Sequence, residues 1–250
     1  LTAFVSPASA NSMLMEFYNK KLIKRKELII GSLVNSFPSI VMHWRYTIPV
    51  ILPLLGVTGL IYFSLLMMIG LIKTSIILIA SRLILPEKDD DREIKIKSIP
   101  PLKEAFKISL RNSKKTMWRI LIVTIPLTFI VFILIDIGIF KILADYLKGI
   151  TEYFPIPAEG LPIIAAQFAN TVAAWTIAGN LLSQGVLNSR EIILTLLAGN
   201  ILSSIIKLRF SIPYYFGIFG TKLGSKILAF STILRILIIL MIIGILVVWW

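Results

Sequence analysis

Four stretches of this chain carry no charged side chain over lengths close to those needed to cross a lipid bilayer. They are residues 46–72, 120–135, 160–182 and 236–250. A helix needs about 20 predominantly apolar residues to span the hydrocarbon core, and every backbone polar group at that depth must be satisfied within the protein. The runs therefore predict an all-α, polytopic integral membrane protein that crosses the cell membrane several times.

The composition agrees with a bilayer as the main partner and argues against other classes of protein. Hydrophobic residues make up 57% of the 250 residues and charged residues 16%, against about 25% charged in soluble domains. The net charge of +13 comes from basic residues between the apolar runs, a pattern that orients membrane proteins; we therefore predict no nucleic-acid partner. There is no cysteine and one histidine, His43, so we predict no metal site and no cofactor.

One short motif occurs twice, as RYTIP at 45–49 and as RFSIP at 209–213, 164 residues apart. Sliding the chain by 164 residues superposes further residues of unlike types in the same register. These matches pair Glu27 with Glu191, Arg45 with Arg209, Pro49 with Pro213 and Gly56 with Gly220. Apolar chains match by accident often, but matched charged residues, prolines and glycines do not. The register therefore predicts two homologous halves, as in many secondary transporters.

The repeat divides the chain into two halves and a linker. We expect a first repeat over 1–86 that lacks its N-terminal helix, a charged linker over 87–100, and a second repeat over 101–250. The second repeat would begin with an amphipathic helix, 101–117, lying on the inner membrane surface. In each repeat a glutamate, Glu27 or Glu191, would cap the start of a helix.

The prolines of the two motifs predict a broken or re-entrant helix in each half. Pro49 and Pro213 each lack a backbone donor and disfavour helix in the preceding residue, so we expect the helix to end there. Irregular backbone at membrane depth is tolerated only where it is buried or lines a cavity. Arg45 and Arg209 could bind an anion, could donate to the freed carbonyls, or could be interfacial anchors.

The second copy resembles the nucleoside-recognition, or Gate, domain family. The resemblance rests on FANTVAAWTIAGNLLSQGVLNSREIILTLLAGNILSSIIKLRFSIPYYFGIFGTKLG at 168–224. That family includes spore maturation proteins A and B, the membrane part of ferrous iron transporter B and relatives of concentrative nucleoside transporters. The resemblance implies inverted repeats and a transport role. The iron transporter carries cysteine in its gate motifs and this chain has none, which argues against iron.

Charge predicts the sidedness of the loops. Loop 20–26 holds five basic residues, and 95–119 holds eight basic residues against one acidic, so both should face the cytoplasm. Segment 141–160 should lie on the outer side of the cell membrane. If 163–182 crosses fully the halves are parallel, and if it turns back they are inverted. The helix count gives the parallel arrangement, whereas the resemblance implies the inverted one.

Three ionisable residues interrupt the apolar runs: Lys73, Asp136 and Arg235. Charges at membrane depth are costly and are functional candidates by default. The alternative is that the basic side chains reach an interface by snorkelling and that Asp136 lies at the edge of its helix. Two cations facing a central cavity would suit an anionic substrate or a phosphate group.

Small polar residues recur in the segment that precedes each glutamate-initiated helix. They could hydrogen-bond a polar substrate, or they could pack membrane helices together. They are Ser6, Ser9 and Asn11 in the first half and Gln167, Asn170, Thr171 and Asn180 in the second.

These observations favour a secondary transporter or flippase for a small polar, possibly anionic molecule that is nucleoside-like or bears phosphate. The alternative is a non-transporting membrane scaffold, or one subunit of a two-protein complex. Either role could involve a homo- or hetero-oligomer. We predict no enzymatic activity, because no histidine pair, cysteine or clustered carboxylate dyad is visible.

Overall fold

The computed structural model describes residues 6–85 and 156–249, together with scattered positions between 118 and 137. The described ranges are almost entirely helical and contain no strand, which confirms the all-α prediction. Residues 6–85 and 156–249 form six α-helices: α1 (Pro7–Asn19), α2 (Arg25–Val34), α3 (Ser36–Ile84), α4 (Leu161–Ala169), α5 (Thr171–Ser183) and α6 (Ser189–Trp249). A 3₁₀ turn, Ala158–Gly160, precedes α4. Asp136, the linker 87–100 and the amphipathic segment 101–117 lie outside the described residues.

Polar side chains fix where α1 and α5 begin. The Ser6 hydroxyl accepts a hydrogen bond from the Ser9 amide at 3.2 Å, and the Asn170 carboxamide accepts from the Val172 amide at 2.7 Å. Both caps satisfy donors that the first turn of a helix leaves without a partner. The two capping residues are 164 positions apart, and so are the two ends of their helices.

The turns that follow these helices also correspond. The chain takes a positive φ at Lys21 (59°) and at Gly185 (68°). The Glu27 carboxylate then accepts from the Lys24 amide at 2.7 Å, and the Glu191 carboxylate accepts from the Asn188 amide at 2.8 Å. The prediction that both glutamates cap their helices is therefore confirmed.

The two longest helices are interrupted at glycines and not at prolines. Gly56 has φ 54° and ψ −134°, and Gly220 has φ 74° and ψ 170°. The predicted break at Pro49 and Pro213 is wrong, because both lie within helical backbone. A proline removes one donor and bends a helix, but a sharp reversal requires a positive φ, which glycine adopts without a steric penalty.

At both glycines the chain folds back on itself. Ile40 and Phe37 pack against Gly70, and the Tyr215 carbonyl lies against the Cα of Gly224. Farther from the second glycine, the Arg190 guanidinium donates to the Leu246 and Val247 carbonyls at 3.5 and 3.0 Å. Residues 36–55 and 57–84 therefore form a first helical hairpin, and residues 189–219 and 221–249 form a second.

The two hairpins lie head to tail. The Thr58 hydroxyl, next to the first reversal, is 2.7 Å from the Ser189 hydroxyl at the base of the second hairpin. Phe219, at the second reversal, shares an apolar cluster with Leu28 of α2 and with Ile77 near the base of the first hairpin. Each tip therefore packs beside the open end of the other hairpin.

The largest apolar cluster joins the first hairpin, α4, α5 and the second hairpin. It includes Leu55, Ile163, Ala178 and Leu197. Gly179 lies so close to the Leu54 carbonyl that a Cβ at this position would clash with it. A small residue is thus required where α5 crosses the tip of the first hairpin, as is common between membrane helices.

Two helical segments in the described ranges, Arg25–Ile84 and Ser189–Trp249, are long and apolar enough to cross a membrane. Their outward faces expose many large apolar side chains, such as Val57 at 72%, Ile79 at 65% and Ile233 at 58%. Water-soluble monomers rarely expose contiguous apolar surface of this extent. The length of the helices and the exposed apolar faces both favour association with a membrane.

The reversal at Gly56 predicts opposite effects for two glycine substitutions. Neither Gly56 nor Gly244 has an atom within 4 Å of an added Cβ, so only the backbone differs. Gly56→Ala should lower the free energy of unfolding by about 1–3 kcal/mol, because its backbone conformation suits only glycine. Gly244→Ala, within a regular helix, should raise that free energy by up to about 1 kcal/mol. Unfolding in detergent measures both, and equal changes would contradict the reversal at Gly56.

Candidate functional site

A cavity of about 550 Å³ lies between the two hairpins and α1. Its walls come from α1, from the junction between α2 and α3, from the second arm of the first hairpin and from both arms of the second hairpin. Volumes of roughly 300–1,000 Å³ are typical of sites for small molecules. The cavity is thus enclosed by elements from both ends of the chain.

Three basic side chains line this cavity: Lys73, Lys207 and Arg235. Each comes from a different arm of the two hairpins. Lys73 is 4% exposed, and its Nζ donates to the Ser231 hydroxyl at 2.6 Å. Both lysines lie within coulombic range of Arg235. The fold therefore gathers three cations around one volume.

Arg235 is oriented by two further side chains. Its Nη2 donates to the Asn200 Oδ1 at 2.9 Å, and the Asn200 Nδ2 donates to the Tyr62 hydroxyl at 3.2 Å. Tyr62 is 1% exposed and Asn200 is 5% exposed. This chain of hydrogen bonds links the two hairpins and holds the guanidinium at the cavity.

The positive charge of the cavity has no carboxylate to offset it among the described residues. One salt bridge forms in the described ranges, between Lys20 and Glu16 on the surface of α1. None of the described residues that line the cavity is acidic. Like charges that are close together and poorly hydrated repel strongly, and a bound anion would relieve that repulsion.

The rest of the polar lining consists of hydroxyl and amide groups. Ser204, Ser211 and Thr232 line the wall made by the second hairpin. At α1, the Asn11 Nδ2 donates to the Tyr214 hydroxyl at 3.0 Å, and Asn35 donates to Asn11 Oδ1 at 2.8 Å. Hydroxyl and amide groups can hydrogen-bond the oxygens of an anion as well as its polar substituents.

Three of the candidate residues named from the sequence line the cavity: Asn11, Lys73 and Arg235. The two motif arginines do not, because Arg45 stacks on Tyr46 at 5.4 Å and Arg209 stacks on Phe210 at 4.6 Å. That placement agrees with interfacial anchoring. Pro49 and Pro213 lie in helical backbone away from the cavity lining.

The remaining small polar residues have local roles or lie at the surface. Ser6 and Asn170 cap helices, and Ser9 donates to the Ser6 hydroxyl at 3.0 Å. Gln167 is 3% exposed and donates to the Leu196 carbonyl at 3.2 Å, so it ties α4 to α6. Thr171 opens α5, Asn180 is exposed, and neither lines the cavity.

Lys207, Asn35 and Tyr214 line the cavity but are not among the residues predicted from the sequence. Lys207 stands two residues before the motif arginine, where it looks like part of a basic boundary to the apolar run. The sequence feature that could have identified Lys207 is the uncharged stretch 192–206, which runs directly into it without a polar loop. Asn35 and Tyr214 became visible only when the hairpins placed them on one wall.

The described residues contain no group of three or more histidine, aspartate or glutamate side chains that could hold a metal ion. The lining is basic and hydroxylated, which suits anions and does not suit divalent cations. The chemistry available here is therefore recognition of a negatively charged molecule.

Three proteins of Methanocaldococcus jannaschii are similar to this chain over nearly all of it. Uncharacterized protein MJ1556 is 37% identical over 241 residues, which cover 95% of this chain and 76% of the relative. Uncharacterized protein MJ0871 is 30% identical, with 98% and 77% covered. Uncharacterized protein MJ0880 is 29% identical, with 96% and 81% covered.

The chain belongs to the family of these archaeal proteins. No family model matches the chain, and no solved structure matches it.

The hydrogen bonds around Asn200 predict a hierarchy of effects on stability. Tyr62→Phe should cost about 1 kcal/mol, because one neutral hydrogen bond is lost. Asn200→Leu should cost more, about 2–4 kcal/mol, because it leaves a buried guanidinium without its acceptor. Adding Arg235→Met to Asn200→Leu should recover part of that loss, and unfolding in detergent measures the coupling. If the losses of Asn200→Leu and Arg235→Met simply added in the double variant, the hydrogen bond between Arg235 and Asn200 would be contradicted.

Proposed function

We propose that this protein is a multi-pass membrane carrier, a transporter or flippase, that moves a small anionic molecule through the cavity between its hairpins. The observation that carries the proposal is the gathering of Lys73, Lys207 and Arg235 around one cavity. Charges held at membrane depth mark substrate or ion pathways by default. Three such charges on separate helical arms destabilise the empty protein, and a bound anion would offset that cost.

The lengths and surfaces of the arms support a position across the bilayer. Each arm of the hairpins is at least as long as the roughly 20 residues that span the hydrocarbon core. Their exposed faces are apolar, and the basic side chains of the cavity point between them. On this proposal four arms cross the cell membrane, and the cations lie inside the bilayer, shielded from lipid.

The correspondence between the halves supports an inverted repeat. Helix ends, caps, the positive-φ turn and the glycine reversal all recur at an offset of 164 residues. The hairpins that they define lie head to tail. Carriers built from inverted repeats bind substrate near the midplane where the halves meet. The resemblance to the nucleoside-recognition family fits a carrier with a nucleoside-like or phosphate-bearing substrate.

The inverted arrangement predicts opposite sidedness for two equivalent loop positions. Lys20 and Gln184 are exposed, follow α1 and α5, and stand 164 residues apart. Because the chain has no cysteine, Lys20→Cys and Gln184→Cys each create a single thiol. A membrane-impermeant maleimide should label Lys20→Cys only from the cytoplasmic side and Gln184→Cys only from the outside. Labelling from the same side would contradict the inverted arrangement.

Two neighbouring basic residues give a matched test of the anion site. Lys207 lines the cavity, and Arg209, two residues later, stacks on Phe210 outside it. Lys207→Met should raise the melting temperature of the ligand-free protein in detergent, because it relieves repulsion worth about 1 kcal/mol or more. The same substitution should raise the anion concentration that is needed for a given stabilisation by at least about tenfold. Arg209→Met should leave that stabilisation unchanged.

Transport itself is tested with proteoliposomes and the anion that stabilises the protein most. We expect uptake by the unaltered protein and by Arg209→Met, and little uptake by Lys207→Met. Anion binding without uptake would overturn the carrier role and favour a non-transporting scaffold or subunit. Absence of Lys207-dependent stabilisation by any organic phosphate or carboxylate would overturn the anion site.

A further inference from the structure

Among the described residues that line the cavity, one buried side-chain acceptor has no donor. Asn35 is 5% exposed and lines the cavity at the junction between α2 and α3. Its Nδ2 donates to the Pro7 carbonyl and to Asn11 Oδ1, both at 2.8 Å. Its Oδ1 is buried and receives no hydrogen bond from the protein. A buried acceptor without a donor costs about 1–3 kcal/mol.

The orientation of this carboxamide is fixed by its neighbours. Reversing the Asn35 amide would place its oxygen against the Pro7 carbonyl oxygen and against Asn11 Oδ1, which are both acceptors. Reversing Asn11 as well would not compensate, because the Pro7 carbonyl can only accept and would still face the reversed Asn35 oxygen. The unpaired atom of Asn35 is therefore the acceptor Oδ1. It can accept a hydrogen bond from a hydroxyl or N–H group of a ligand.

The three cations set the charge of that ligand. A single carboxylate would offset one of the positive charges of Lys73, Lys207 and Arg235. A phosphate monoester carries nearly two negative charges at neutral pH and three oxygens that accept charge-assisted hydrogen bonds. Inorganic phosphate would satisfy the charge, but it would leave most of a 550 Å³ cavity without ligand atoms.

We infer that the ligand is a hydroxylated phosphate ester. Its phosphate lies among Lys73, Lys207 and Arg235, and one of its hydroxyls donates to Asn35 Oδ1. This inference rests on the proposed anion site and narrows it to one chemical class. The same chemistry occurs in a free compound, such as a polyol or sugar phosphate, and in the glycerol phosphate headgroup of a lipid.

The test compares two ligands of nearly equal size on the unaltered full chain in detergent. Glycerol 3-phosphate has two hydroxyls, and propyl phosphate has the same phosphate and carbon chain without them. A site built to accept a hydrogen bond discriminates strongly against the analogue that lacks the donor. We expect glycerol 3-phosphate to bind at least about tenfold more tightly by calorimetry. Glycerol alone should not bind.

A substitution at Asn35 tests the same contact from the protein side. Asn35→Leu should bind both phosphates with similar affinity, and Lys207→Met should weaken both by a similar factor. If Asn35→Leu fails to fold, the two-ligand comparison on the unaltered protein decides the matter by itself. Competition by phosphatidylglycerol in phosphatidylcholine vesicles would support a lipid headgroup as the source, and no competition would support a free compound.

The outcomes separate this inference from the proposed function. Equal affinity of the unaltered protein for glycerol 3-phosphate and propyl phosphate overturns the role of Asn35, while the anion site stands. Tighter binding of glycerol 3-phosphate without uptake into proteoliposomes overturns the carrier role, while the ligand class stands. No binding of either phosphate overturns the inferred ligand class, while the anion site stands if another organic anion stabilises the protein in a Lys207-dependent way.

Discussion

The fold depends on two glycines that reverse the direction of long apolar helices. At Gly56 and Gly220 the backbone takes a conformation that is strained for other residues, and each helix doubles back at once. A straight apolar helix of that length would greatly exceed the thickness of a bilayer. Reversal produces two hairpins whose tips and bases fit together head to tail. The cavity lies between these two hairpins and α1.

Placing one buried and two half-buried basic side chains around such a cavity is unfavourable, and hydrogen bonds to neutral partners offset part of that cost. Ser231 accepts from Lys73, and Asn200 accepts from Arg235. Hydroxyl and amide oxygens satisfy the donors but leave the charges in place. The site therefore remains positively charged while its side chains are held in position, which is the preorganised state that favours binding of an anion.

Much of the framework could be predicted from the sequence, because it depends on residue types with strong local preferences. Glu27 and Glu191 cap helices as expected, and Lys73 and Arg235 stand out by charge against apolar neighbours. The reversals were assigned to Pro49 and Pro213 because both residues disfavour helix. The reversals instead lie at Gly56 and Gly220, because glycine readily adopts the positive φ found there. Asn35 could not be assigned, because its role arises from contacts between distant segments, whereas the uncharged stretch 192–206 was a signal for Lys207.

The 164-residue correspondence that governs the backbone fails at the residues facing the cavity. Lys73 corresponds to Leu237, Arg235 to Leu71, Lys207 to His43, and Asn35 to Gly199. The scaffold is thus pseudosymmetric while its lining is not. If the halves exchange conformations, the cavity opened to one side presents different groups from the cavity opened to the other. On the proposed carrier role the two states would be unequal in energy, and the empty molecule would favour one of them.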